Sequence, residues 1–190
     1  MRSYVTLQDQ FSAGVVDVVA ARKVGRFLGC VHAKTHSVLI TEEVRKHLTI
    51  EFINQELRNL QLESFFTQPY QMAPGALPLH SDEELMAAID ELKALYSGEK
   101  PDNLALCHGD FHAGSVMVNL QERNSGTGYN VSVKVIDTEF AIYGPPGLDV
   151  GCLIASYVLS CVHQAVVGAD PEQIRVLSSA IAAIWDAYRN

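Results

Sequence analysis

Two runs rich in Val and Ile, "SVMVNL" at 115–120 and "VSVKVI" at 131–136, flank the polar, glycine-containing stretch "QERNSGTGYN". β-branched residues suit a pleated surface, and a polar glycine-bearing segment between two such runs reads as the loop of a hairpin. A hairpin brings the residues just before its first strand next to those just after its second. Here the first group is "CHGDFHAG" and the second is "DTEF". The chain must therefore fold so that two acidic, chemistry-bearing segments meet.

Around this hairpin the patterns are helical. From about Ala13 to Ala33, the residues Val16, Ala20, Val24, Phe27 and Val31 fall on one helix face. A shorter helix is expected around Glu51 to Leu60. "PYQMAPGALPLHS" has three prolines and a glycine and reads as a loop. Ser81 with Glu84 three residues on forms a capping box, and the helix it opens turns Leu85, Ile89, Leu92 and Leu95 inward and ends near Ser97-Gly98. "LALC" is a short apolar segment. Asp170-Pro171 opens a last helix with Ile174, Leu177, Ile181, Ile184 and Tyr188 on one face. Trp185 and Tyr188 are read as core residues. His32, His36, His47, His80 and His163 are scattered and read as structural or exposed.

With 190 residues, 48% of them hydrophobic and 19% charged, the chain is long enough for one domain with a real core. Its formal net charge of −8 argues against non-specific nucleic-acid binding. Leu153 to Val167 is the most apolar stretch. It is shorter than a bilayer span and reads as a buried helix, so no membrane partner is expected. The four cysteines, Cys30, Cys107, Cys152 and Cys161, form no C-x-x-C pair. They read as reduced thiols in a cytoplasmic protein.

Asp137 and Glu139 are two residues apart, so an extended backbone would point both to one side. Paired carboxylates repel unless a cation lies between them, and Mg2+ takes oxygen ligands of this kind. Asp110, carried near them by the hairpin, would remain to orient a hydroxyl and accept its proton. That division of labour suits phosphoryl transfer. Taken alone, His108, Asp110 and His112 also allow a metal-dependent hydrolase.

"HGDFHAGSVMV" followed by "KVIDTEFAIYGPPGLDVG" resembles the catalytic core of the methylthioribose kinases, within the aminoglycoside phosphotransferase and choline kinase group. The upstream "FINQEL" and "FFTQPY" are similar to that family too, and the resemblance runs from roughly Ala13 to the C-terminal end. The group's usual loop is HGD-x-H-x-x-N; this chain has Ser115 in place of the Asn, as methylthioribose kinases do. The resemblance implies an α+β fold: the mainly helical C-terminal lobe of a protein-kinase-like structure, with a small β-hairpin carrying the catalytic and metal-binding loops. It implies that Asp110 is the catalytic carboxylate that contacts the sugar hydroxyl. Asp137 and Glu139 would bind Mg2+ and, through it, ATP, with Thr138 lining the same segment. Ser115 would stand near the metal, and His108 and His112 would fix the loop's shape. Asp149, which by itself reads as a helix cap, would tether the catalytic loop.

The implied reaction is ATP plus 5-methylthioribose giving ADP and 5-methylthioribose 1-phosphate, a step of methionine salvage; a homodimer is left open. The sequence has no G-x-G-x-x-G and no G-x-x-x-x-G-K. The expectation is thus a single domain over 1–190 that is part of a kinase C-terminal lobe, without the nucleotide lobe and the tail, and inactive in isolation. Another alcohol as substrate, or a non-catalytic binding module, are the competing readings.

Overall fold

The computed structural model describes residues 4–71, 79, 81–98, 101–122, 129–168 and 170–190. Its longest early element is α2 (Val18–Thr35), which follows β1 (Val5–Thr6) and α1 (Leu7–Ser12). Asp17 caps α2, its carboxylate accepting the Ala20 N–H at 2.7 Å. The buried face of α2 keeps Ala20 and Val24 of the expected one but is turned toward Ala21, Leu28 and His32, while Phe27 is 41% exposed. Glycine explains the rotation. A Cβ at Gly25 would lie 2.4 Å from the Ile184 carbonyl oxygen, and one at Gly29 2.4 Å from that of Tyr188. The last helix therefore lies backbone-close along the glycine face of α2 and draws that face into the core.

The helix expected around 51–60 is two helices, α3 (Glu42–Glu51) and α4 (Gln55–Phe66). They are separated at Asn54, whose φ of 39° is left-handed and cannot continue a helix. A short α5 (Gln68–Gln71) occupies the start of the expected Pro-rich loop; 72–78 and 80 lie outside the described residues. Asp82, not Ser81, caps α6 (Glu83–Tyr96), accepting the Leu85 N–H at 2.9 Å. Ile89 and Tyr96 are the buried residues of α6, and Leu92 is exposed.

The hairpin forms as read. β3 (Val116–Glu122) pairs antiparallel with β4 (Tyr129–Val135), with Val116 opposite Val135, and β1 adds to the outer edge of β3. Its tip, 123–128, lies outside the described residues. A second ladder joins β2 (Ala105–Cys107) to β5 (Ile142–Gly144). These two ladders, one on each side of the 108–115 and 136–141 segments, fix both ends of the site.

Two helices complete the chain. α7 (Gly147–Val166) begins earlier than the apolar stretch suggested and runs 20 residues. By length and composition it could cross a membrane, contrary to the shorter reading, but Leu153 and Tyr157 on its inner face are in the core. α8 (Pro171–Arg189) is capped by Asp170 and has proline in its first turn, as expected. Leu177 and Ile184 are buried there, whereas Trp185 is 48% exposed rather than core. α2, α7, α8 and the hairpin enclose one apolar cluster that also includes Phe111 and Ala113 of the 108–115 loop.

Candidate active site

The 107–115 segment is short and polar, so its backbone groups need partners. Asp149, in the first turn of α7 and 1% exposed, supplies two of them. Its carboxylate accepts the His108 N–H at 2.7 Å and the Gly109 N–H at 3.0 Å. It makes no helix cap; it tethers the loop. His32 of α2 contacts the same carboxylate through Nε2 at 3.3 Å, and its Nδ1 lies 3.1 Å from the Tyr188 hydroxyl. Ser156 of α7 accepts the Ala113 N–H at 3.1 Å.

The two loop histidines are committed locally. His108 Nε2 donates to the Ile136 carbonyl at 2.8 Å, and its Nδ1 accepts the Asp110 N–H at 3.3 Å. Both ring nitrogens are therefore taken. His112 Nδ1 accepts the Gly114 N–H at 2.9 Å, which leaves Nε2–H to face Asp110 Oδ2 at 3.4 Å. The Ser115 hydroxyl is fully buried; it donates to the His112 carbonyl at 2.8 Å and accepts its N–H at 3.1 Å. It thus shapes the turn. Asp110 itself is partly exposed.

The acidic segment is not extended as expected. Asp137 has a left-handed φ of 62°, and Thr138–Phe140 form a single 3-10 turn. The carboxylates of Asp137 and Glu139 come from this turn, and both residues are exposed, as is Thr138. The turn presses on the 108–115 loop at one point. Gly109 has φ +86°, and a Cβ there would lie 2.0 Å from the Phe140 carbonyl oxygen. Glycine is required on both counts. Asn54 props the turn from outside, its amide donating to the carbonyls of Glu139 at 3.3 Å and Ala141 at 3.4 Å.

A pocket of about 460 Å³ behind the loop is lined by His108, Thr138 and Asp149 together with apolar side chains such as Phe27, Leu28 and Val135. A groove of about 710 Å³ between α3, α4 and the end of α6 contains none of the expected site residues. His32, Cys107 and Asp149 lie close enough to hold a metal. Their chemistry is otherwise engaged. Burial, and then the Asp149 charge, push the Cys107 thiol well above its usual range, and its Sγ is within 3.4 Å of the Gly144 and Pro145 carbonyls. The hard oxygen donors, Asp110, Asp137 and Glu139, are the groups left facing solvent.

The Phosphotransferase enzyme family matches residues 9–185 of this sequence. The chain belongs to that family. Its architecture, mainly helical with two small antiparallel sheets among the described residues, is that of the C-terminal lobe of a kinase-like fold. Among curated relatives, the methylthioribose kinase of Bacillus velezensis (strain DSM 23117 / BGSC 10A6 / LMG 26770 / FZB42) is 29% identical over 175 residues, 87% of this chain and 40% of its own length. That of Cronobacter sakazakii (strain ATCC BAA-894) is 30% identical over 184 residues, 89% of this chain and 42% of its own. This phosphotransferase chain thus spans about two fifths of the length of these relatives. Among solved structures, a glucosamine kinase in complex with glucosamine, ADP and inorganic phosphate aligns with 100% of this chain and 46% of its own, at 18% identity and TM-score 0.47. The Plasmodium vivax ethanolamine kinase aligns with 98% of this chain and 54% of its own, at 15% identity and TM-score 0.44.

Three contributors to the site were not singled out from sequence. His32 stands among scattered histidines, and neither Asn54 nor Gln61, whose amide donates to the Gly109 carbonyl at 2.9 Å, belongs to a motif. Gln61 and Arg58 are both buried on α4, three residues apart. A polar pair at that spacing reads as an exposed helix face, and only the tertiary fold turns it inward.

Proposed function

We propose that this chain carries the catalytic loop of a small-molecule kinase that transfers the γ-phosphoryl group of ATP to an alcohol, 5-methylthioribose in the first instance. The observation that carries the reading is the Gly109–Phe140 approach, which sets the Asp110 loop directly against the Asp137–Glu139 turn. Kinase chemistry needs that juxtaposition, with one carboxylate on the nucleophile and others on the metal that accompanies the phosphates. The methylthioribose kinase relatives support the choice of acceptor.

The donor set suits Mg2+, which favours carboxylate oxygens and keeps several waters. Asp137 and Glu139 would hold it, and when bound it would neutralise charge on the ATP phosphates. Thr138 would line the nucleotide side. Asp110 accepts the proton of the attacking hydroxyl as the oxygen bonds to the γ-phosphorus and ADP leaves. His112 Nε2–H steadies the Asp110 carboxylate, and His108 fixes the backbone from which it projects. This activity is that of a fuller enzyme in which a nucleotide lobe completes the site. Four free thiols suit a reducing cytoplasm.

The test is an assay of the enzyme with ATP, Mg2+ and a panel of 5-methylthioribose, choline, homoserine and aminoglycosides. Asp110→Asn should lower kcat about 10²–10⁴-fold with little change in KM for ATP. Transfer that survives Asp110→Asn sinks the mechanism. Transfer to a different alcohol alone keeps the kinase and replaces the substrate.

A further inference from the structure

Gly109 is held at both of its backbone polar groups. Its N–H is on Asp149, and its carbonyl accepts Gln61 Nε2 at 2.9 Å. Gln61 is 3% exposed. Its amide is oriented in turn, because Oε1 accepts the Tyr96 hydroxyl. Tyr96 ends α6 and is 1% exposed, and burial pushes its hydroxyl up to about 12, so it remains a donor at any working pH. Arg58, three residues before Gln61, donates to the carbonyls of Tyr96 and Tyr143, which joins the end of α6 and β5 to the same helix. At the N-terminal end of α4, Asn54 holds the acidic turn. One helix therefore supports both halves of the site.

The carbonyl that Gln61 holds belongs to the Gly109–Asp110 peptide. A glycine at φ +86° lets that peptide plane swing easily, and its other hold is the 3.3 Å bond from the Asp110 N–H to His108 Nδ1. Swinging it would redirect the Asp110 side chain. Breaking the Gln61 bond would also leave a buried carbonyl and a buried amide without partners, which is costly.

We propose that Gln61, oriented by Tyr96, is a positioning residue that sets the direction of the Asp110 carboxylate. The proposal rests on the phosphotransfer reading of Asp110. It requires an amide at position 61, with a donor toward Gly109 and an acceptor toward Tyr96. Leucine fills the same volume with neither group, and Tyr96→Phe removes only the hydroxyl that orients the amide.

The experiment is backbone amide hydrogen exchange on the 190-residue chain, wild type against Gln61→Leu and Tyr96→Phe, with urea unfolding of each. Gln61→Leu should speed exchange of the 108–112 amides about tenfold beyond any change in α2 and α8, and Tyr96→Phe should give a smaller rise in the same amides. In the active enzyme kcat should fall about tenfold with KM for ATP unmoved. Exchange at 108–112 that is unchanged, or that rises only in step with α2 and α8, overturns the proposal. If Gln61→Leu does not fold, Tyr96→Phe decides by the same criterion. A wild-type enzyme inactive on every alcohol would instead refute the kinase reading, while a localised exchange response would still establish the hold on Gly109.

Discussion

Gly109 carries more constraint than any acidic residue of the site, since it must be left-handed and must also admit the Phe140 carbonyl. Gly109→Ala should therefore destabilise the chain by about 1–3 kcal/mol and abolish turnover, as read by urea unfolding and the kinase assay. Gly114→Ala meets the His112 ring rather than backbone, so it should be milder, though the ring must give up its contacts with the Gly114 N–H and Asp110 to make room. The thiols make a second residue-scale test. Cys30 is exposed, whereas Cys107 is buried with its thiol held protonated. A maleimide should label Cys30 in the folded protein and reach Cys107 only on unfolding. Asp110, Asp137, Glu139 and Asp149 could be picked out as candidates in the sequence because their motif has fixed spacing. The left-handed backbone at Asp137 could not, because an alternating pattern of acids says nothing about φ.

Helices and strands are legible in the sequence where a local signal decides them. Asp170-Pro171 and the Val-rich hairpin announce themselves through cap and propensity chemistry. The break at Asn54 and the inward face of α2 did not, because each is set by a distant segment: the acidic turn in one case, α8 in the other. The caps allow a plain test. Asp17→Ala removes the acceptor of the Ala20 N–H and should cost about 1 kcal/mol, measured as a lower urea midpoint with unchanged slope. The α2–α8 contact is harsher. Gly29→Val places a branched side chain against the Tyr188 carbonyl and should cost about 1–3 kcal/mol or more, with thermal unfolding as the readout. It should also pull Tyr188 away from His32 and loosen the Asp149 tether, a coupling visible as faster exchange of the His108 and Gly109 amides.

The molecule as a whole should lose stability in alkali. Burial raises Tyr96 from 10.0 to about 12 and, with the Asp149 charge, Cys152 from 9.0 to about 11. The unfolded chain therefore gives up these protons first. Their contribution is complete below the unfolded values, near pH 9 for the thiol and 10 for the phenol, and is lost as pH rises through about 11 and 12. Tyrosine ionisation followed by near-ultraviolet absorbance should coincide with loss of circular dichroism in that window. The seam between α2 and α8 has a further, historical consequence. Positions 25 and 29 face a neighbouring backbone that cannot step aside, while 26 and 30, one residue along, are exposed. Descendants of this sequence are free to drift at 26 and 30. At 25 and 29 they can change only if the last helix moves with them.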